Sequence, residues 1–185
     1  MVTPHRLLCL DFEASGADPP GYPIEVAIAV ATGATREWLI APIREWLETG
    51  IWDAAAEAVH GLSRAEIIDC GRSVQEVTAE LAAETQGAQV LSDAPPHDTK
   101  WLRDLYRATG AEPPFALLDF HQIVWRAATM RDRRPDIAIV KAEAEAYALF
   151  PKQHRAGPDA RRNAEILRQV LGPAPINILW YPGGK

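Results

Sequence analysis

The sequence predicts a single α/β domain, in which helices pack against a mixed five-stranded sheet. Three short apolar segments follow one another near the start of the chain, which is typical of an antiparallel strand meander. Helical segments then alternate with two more short apolar segments, so the predicted sheet is mixed. With 185 residues, the chain is long enough for one sizeable core and too short for two comfortable domains.

The first three strands are predicted from apolar runs bounded by turn residues. Residues 6–11 form an apolar run that ends in polar residues, as expected of a central strand. A loop rich in proline and glycine, at residues 16–23, separates it from a second predicted strand at residues 24–32. Residues 37–43 complete the meander as a third strand.

The middle of the chain predicts helices followed by a buried strand. Ser73 and Glu76 stand three residues apart, which is the pattern of a capping box at the start of a helix. Two short helices, one longer helix and a brief strand are expected at residues 51–58, 63–68, 74–85 and 89–92.

The last part of the chain predicts four helices and one more strand. Residues 98–109 carry apolar side chains on one helical face and end at Gly110. A fifth strand at residues 115–118 and further helices at residues 119–128, 135–150 and 158–171 complete the domain.

We interpret residues 1–185 as one domain without an internal repeat or a linker. The tail from about residue 173 is rich in proline and glycine, which allows it to be flexible. Its apolar segment at residues 176–180 would also allow it to dock on the domain.

Cysteine content and apolar run lengths indicate the compartment. Cys9 lies in an apolar run and is expected to be a small core residue. Two cysteines, Cys9 and Cys70, cannot form a framework of several disulfide bridges. The N-terminus has only a brief apolar stretch, and no later segment has the length of a spanning helix. A cytoplasmic protein without membrane contact is the default expectation.

Four acidic residues and one histidine lie in three separated segments. Asp11 and Glu13 are two apart at the end of a predicted strand, so both side chains point to the same face. Two negative charges at the edge of a core are costly unless a cation or a donor compensates them. Asp98 opens a predicted helix on its inward side, and Asp159 lies in the first turn of the last helix. His154 precedes Asp159 by one short loop.

This combination is the one expected of a two-metal site that cleaves phosphodiester bonds. Such a site needs several anionic oxygens around two hard cations, which hold the attacking and the leaving oxygen. It also needs a proton acceptor beside the attacking water, and histidine suits that task. An all-oxygen set of ligands favours two Mg²⁺ or Mn²⁺ ions over zinc or copper.

These side chains also have purely structural explanations. An acidic pair at a strand end can lie in solvent, and Asp98 and Asp159 can complement the partial positive charge of a helix N-terminus. Asp93 is a rival for the place of Asp98, but it precedes two prolines in a predicted loop and lacks the helix position. We therefore favour Asp98. Arg161 and Arg162 are expected to be surface charges rather than ligands.

The three segments resemble the motifs of the DEDDh 3′–5′ exonucleases, a family that includes proofreading exonucleases and ribonuclease T. The resemblance extends from about residue 6 to about residue 171. One departure is that residues 92–97 read SDAPPH, where many members have His-Asn-Ala before the second motif. The matching segments are residues 11–13 for D-x-E, residues 98–102 for D-x-x-[FW]-L and residues 154–160 for H-x-x-x-x-D-A.

The resemblance also implies residues that contact substrate. Small residues at positions 14–16 would let the end of a nucleic-acid strand approach the protein backbone. Residues 59–63 look like the H-G-[IL]-[ST] segment of the substrate groove. A helix-ending glycine and a helix-capping serine explain that segment equally well. Trp101 can stack on a base, although its helical spacing favours core packing. The substrate-contacting residues implied are Ala14, Ser15, Gly16, His60, Gly61 and Trp101.

The expected protein is therefore a ribonuclease H-like, metal-dependent 3′–5′ exonuclease. Asp11, Glu13, Asp98 and Asp159 would hold the ions and His154 would be the general base. The net charge of −6 argues against a broad basic surface for long duplexes, and favours a short grip on one 3′ end, preferably single-stranded. The alternatives are an exoribonuclease or oligoribonuclease, and a catalytically retired fold that only binds. A homo-oligomer is possible.

Overall fold

A five-stranded mixed sheet lies at the centre of the fold, in the strand order β3-β2-β1-β4-β5. Strand β1 pairs antiparallel with β2 and parallel with β4, so it lies in the middle of the sheet. The computed structural model describes residues 6–31 and 33–172. The predicted mixed five-stranded sheet is confirmed. Its strands are β1 (Arg6–Ala14), β2 (Pro23–Val30), β3 (Thr35–Leu39), β4 (Ala88–Ser92) and β5 (Leu117–Asp119).

Eight helices flank this sheet within the described residues, and several begin or end away from their predicted limits. Strand β3 ends at Leu39, whereas the prediction extended it to residue 43. Residues 44–49, where no helix was predicted, form a short helix. The helices are α1 (Arg44–Thr49), α2 (Ala54–His60), α3 (Arg64–Cys70), α4 (Val74–Thr85), α5 (Pro95–Arg107), α6 (Phe120–Arg131), α7 (Pro135–Leu149) and α8 (Ala156–Leu171).

The start of α5 differs from the prediction in a way that concerns the site. The helix begins at Pro95, so Asp98 lies within its first turn and does not open it. Proline suits the first positions of a helix because its fixed φ is helical. The N–H that it lacks would have no partner within the helix at these positions. The two prolines therefore belong to the helix, and the connection from β4 is a short turn.

The two faces of the sheet pack against different helices. Because side chains alternate along a strand, Leu8 and Leu10 face the helices α4 and α5, whereas Cys9 faces α6, α7 and α8. Alanines dominate the contact between β2 and α8, among them Ala27 and Ala160. Small residues let α8 lie close to the sheet, which places its first turn beside the end of β1.

Local capping agrees with the sequence at the start of α4. The Ser73 hydroxyl accepts a hydrogen bond from the Glu76 N–H at 3.3 Å, and the Glu76 carboxylate accepts one from the Ser73 N–H at 3.1 Å. The predicted capping box is therefore present.

No helix in residues 6–31 and 33–172 is long and apolar enough to cross a bilayer. The predicted docking segment, residues 176–180, lies outside the described residues.

Candidate active site

The end of β1 places two acidic side chains on one face of the sheet. Asp11 pairs with Ala27 across the β1–β2 ladder and Glu13 pairs with Glu25, before the register shifts between Glu13 and Ala14. Directly opposed residues of an antiparallel pair project to the same face. Glu13 and Glu25 therefore present two carboxylates side by side.

Two groups of carboxylates form around Asp11. One contains Asp11, Asp93 and Asp98, and the other contains Asp11, Glu13 and Asp159. Within each group, one oxygen from every residue lies within 4.8 Å of the others. The structure thus brings together all four acids that the sequence predicted, and Asp11 belongs to both groups.

Asp93 is the unexpected member of these groups. The sequence favoured Asp98 over Asp93 because Asp93 was assigned to a loop without a helix position. The short turn between β4 and α5 instead holds both side chains near Asp11. Asp98 therefore lies where it was predicted, and Asp93 lies beside it in the same group rather than in its place.

Burial and mutual repulsion raise the pKa values of the clustered acids. Burial, followed by the charges of Asp98 and Glu13, raises the pKa of Asp11 well above its ordinary value. Burial and then the neighbouring Glu25 raise the pKa of Glu13 to about 8. The pKa of Asp98 rises to about 7 because of burial, although a hydrogen bond from Ser92 lowers it. Such acids would be stabilised in their charged form by a cation.

Ser92 was noted in the sequence only as a departure from the family pattern, and its role comes from the structure. Its hydroxyl donates to Oδ2 of Asp98 and accepts from the N–H of Ala94 at 3.0 Å. The serine therefore orients the Asp98 carboxylate and also holds the turn that precedes α5.

His154 is half-buried in the loop before α8. It belongs to neither carboxylate group and does not line the adjacent cleft. Its φ of 52° is the only positive value at a non-glycine residue in the described chain. A histidine in the left-handed region stores backbone strain, which persists only where neighbouring contacts hold it.

Arg162 contradicts the expectation of a surface charge. Its side chain is 2% exposed, and its Nη1 lies 2.5 Å from Oδ1 of Asp159. Its guanidinium also lies over the ring of Tyr147, 4.7 Å from the centroid. The general rule that arginines lie outside fails here because a buried carboxylate one helical turn away needs a cation. Arg161, in contrast, is exposed as predicted.

A cleft of about 430 Å³ opens beside the carboxylates. Of the residues implied to contact substrate, Ala14, Gly16, His60 and Trp101 line it. Trp101 is nevertheless 4% exposed and packs in the core, as its helical spacing favoured. His97, which the sequence did not single out, also lines the cleft.

Ser15 does not line the cleft. Its hydroxyl accepts the N–H of Tyr22 at 2.9 Å, and the side chain is buried. Ser15 therefore holds the loop after β1 in place, whereas the resemblance had implied a contact with substrate.

His60 lines the cleft and has one ring nitrogen without a partner in the described residues. Its Nδ1 accepts the N–H of Leu62 at 3.0 Å, so the proton of the neutral ring is on Nε2, which has no partner in the described chain. Burial lowers its pKa, so the neutral form is favoured. Gly61, with φ of 71°, ends α2, and Ser63 caps α3 by accepting the N–H of Glu66 at 3.1 Å. The segment thus ends one helix, starts another and carries one buried N–H donor without a partner in the described chain.

The architecture matches solved structures of exonuclease I. The Escherichia coli enzyme in complex with a dT13 oligonucleotide superposes with a TM-score of 0.63 at 13% identity, over 90% of this chain and 40% of that one. The chain has the fold of exonuclease I. A moderately thermophilic exonuclease I from Methylocaldum szegediense gives a TM-score of 0.62 at 17% identity, over 89% and 40% of the two chains. The predicted ribonuclease H-like fold is therefore confirmed.

This chain spans about 40% of the length of those exonuclease I structures. No protein-family model matches its sequence, and no curated protein does. The likeness is one of fold, with an acidic cluster at the end of the central strand.

Proposed function

We propose that the protein is a metal-dependent 3′–5′ exonuclease that shortens nucleic acid, with a preference for single strands. The observation that carries this proposal is the pair of carboxylate groups that share Asp11, in a chain with the exonuclease I fold. The 3′–5′ direction follows the family resemblance. The preference for single strands is consistent with the neighbour that binds a dT13 oligonucleotide and with the net charge of −6.

The acidic residues suit two hard divalent cations. Asp11, Glu13 and Asp159 would hold one, and Asp11, Asp93 and Asp98 the other. All donors are carboxylate oxygens, which Mg²⁺ and Mn²⁺ prefer. When bound, such ions would activate a water molecule and neutralise charge that develops on the phosphate. Asp93 would be a ligand in addition to the four that the sequence predicted.

A residue of the protein would act as the general base. The neutral imidazole of His154 would take the proton of the attacking water, in the role of general base. The loop that carries it is tied to the acidic cluster, because the Gln153 N–H donates to Oδ1 of Asp159 at 3.3 Å. His154 does not line the cleft in this structure, so the bound substrate would have to extend to this loop for the proton transfer.

The cleft would hold the last nucleotide. Ala14 and Gly16 leave the backbone accessible because their side chains are small, and both line the cleft. The Nε2–H of His60 would donate to a phosphate or sugar oxygen, which would give this buried donor the partner that it lacks.

Digestion of 5′-labelled oligonucleotides would test this function. With Mn²⁺, single-stranded DNA should give a ladder of labelled products that shorten stepwise, since nucleotides leave from the 3′ end. RNA and a duplex with a mismatched 3′ end, assayed in parallel, would rank the substrate classes. Asp11→Asn should be inactive, whereas Asp69→Asn, an exposed acid on α3, should behave like the wild type. Binding of all three substrates without any cleavage would indicate a retired fold and would overturn the proposal.

A further inference from the structure

We propose that Glu25 is a positioning residue for His154. Glu25 lies in β2 and is 1% exposed, and it belongs to neither carboxylate group around Asp11. Its partner is Arg155, the residue that follows His154. This inference rests on the function proposed above, since it assigns to Glu25 the task of holding the general base.

Glu25 is bound by the loop residues immediately after His154. Both Glu25 oxygens accept hydrogen bonds from the guanidinium of Arg155, at 2.6 Å from Nη2 and at 3.0 and 3.2 Å from Nε. Oε2 also accepts the backbone N–H of Ala156 at 2.9 Å, at the start of α8. A bidentate carboxylate–guanidinium pair with one more N–H fixes both distance and orientation. The residues that meet are 130 apart in sequence.

A second carboxylate holds the other side of the same histidine. The N–H of Gln153 donates to Oδ1 of Asp159 at 3.3 Å. His154, with φ of 52°, is thus flanked by two residues that are hydrogen-bonded to buried acids. Strained backbone conformations persist when surrounding contacts over-determine them. Glu25 and Asp159 together provide that constraint on the backbone at both sides of His154.

A purely structural ion pair would explain the burial of Glu25 but not its location. Removing one partner of a buried pair destabilises a protein wherever the pair lies. Glu25 instead binds the one described segment in which a non-glycine residue has positive φ, and that segment carries the predicted base. Its effect on the rate should therefore depend on His154.

The test compares Glu25→Gln, His154→Ala and the double variant in steady-state cleavage with saturating Mn²⁺. Glu25→Gln should lower kcat by at least about tenfold, part of what a general base contributes. It should leave KM within about twofold, because Glu25 is neither a proposed ligand nor a cleft residue. The calorimetric Kd for Mn²⁺ is measured in parallel, since Glu25 also raises the pKa of Glu13. In the His154→Ala background, Glu25→Gln should have no further effect on kcat. Glu25→Asp, which keeps the charge, should recover part of the loss.

Hydrogen exchange gives a readout that needs no activity. In Glu25→Gln, the amides of residues 153–156 should exchange faster, whereas those of β1 should not change. Glu80→Gln is the matched control, since Glu80 also binds a guanidinium, that of Arg72 at 2.6 Å, but on helix α4. It should leave both kcat and exchange in residues 153–156 unchanged.

Two results would overturn the assignment. One is an equal loss of kcat from Glu25→Gln with and without His154, which would show an effect independent of the histidine. The other is unchanged exchange in residues 153–156, which would show that Glu25 does not hold the loop. If the wild type cleaves nothing but the exchange result appears as expected, the proposed function fails while the contact between Glu25 and the loop stands.

Discussion

The Arg162 guanidinium lies 2.5 Å from the Asp159 carboxylate, and both side chains are buried in the first two turns of α8. Asp159 is also one of the acids that surround Asp11. The arginine therefore binds, with a fixed positive charge, a carboxylate that a divalent cation would also use. Ion binding and the Arg162–Asp159 pair should compete.

Arg162→Gln should consequently bind Mn²⁺ several-fold more tightly than the wild type, because no guanidinium then competes for Asp159. The ion-free variant should also be less stable, by on the order of 3 kcal/mol, since a buried carboxylate loses its partner. Calorimetric titration with Mn²⁺ and thermal unfolding in EDTA measure the two effects. Arg161→Gln, at the exposed neighbouring position, should change neither. An unaltered Mn²⁺ affinity in Arg162→Gln would contradict the competition.

Divalent cations should raise the unfolding temperature, because they bind the native cluster and not the unfolded chain. At an ion concentration of about 100 Kd the gain is about 2.7 kcal/mol. Asp11→Asn should abolish most of it, since Asp11 is shared by both carboxylate groups. Scanning calorimetry over a series of Mg²⁺ and Mn²⁺ concentrations provides the measurement. A wild-type transition that does not move with either ion would argue against the metal site.

Stability without ions should fall as the pH rises from about 5 to about 8. The folded-state pKa of Glu13 is raised to about 8 and that of Asp98 to about 7, above the ordinary values of about 4. Over this range the folded protein holds more protons than the unfolded chain, so the free energy of unfolding decreases with pH. The stabilisation is full below the unfolded pKa values and is lost as the pH passes the folded ones.

Saturating Mn²⁺ should remove this pH dependence, since the bound carboxylates are then ionised in the folded state. Thermal unfolding at pH 5, 6, 7 and 8, in EDTA and in Mn²⁺, measures both slopes. Ion binding at pH 7 should also release protons, which calorimetry in buffers of different ionisation enthalpy would detect. A flat profile in EDTA would mean that the acids are ionised without a cation.

His154→Ala should keep the Mn²⁺ affinity but lose about 10²–10⁴-fold in cleavage rate, the usual contribution of a positioned general base. Asp11→Asn should lose both. Because φ at residue 154 is 52°, His154→Gly should be more stable than His154→Ala by about 1 kcal/mol while being equally inactive. Single-turnover cleavage of a labelled oligonucleotide and denaturant titration separate the two properties. A wild-type rate in His154→Ala would show that another group takes the proton.

The strands and most helices could be predicted because their signals are local. The apolar run of β1, and the Ser73–Glu76 capping box of α4, each depend on residues close together in the chain. The alternation of a strand was also enough to place Asp11 and Glu13 on one face. Helix limits were less predictable where an element starts on residues that read as a loop, as at Pro95.

The sequence by itself determined the order of strands and helices along the chain and the acidic pair on β1. It also determined the chain positions of the other two predicted ligands. Only the tertiary structure decided that Asp93 joins Asp98, that Arg162 is buried against Asp159 and that Glu25 holds Arg155. In the sequence, Glu25 is only an acid within an otherwise apolar strand. The physical reason is the same in each case. The energy of a buried charge depends on the partner that the fold brings to it, and that partner can be 130 residues away.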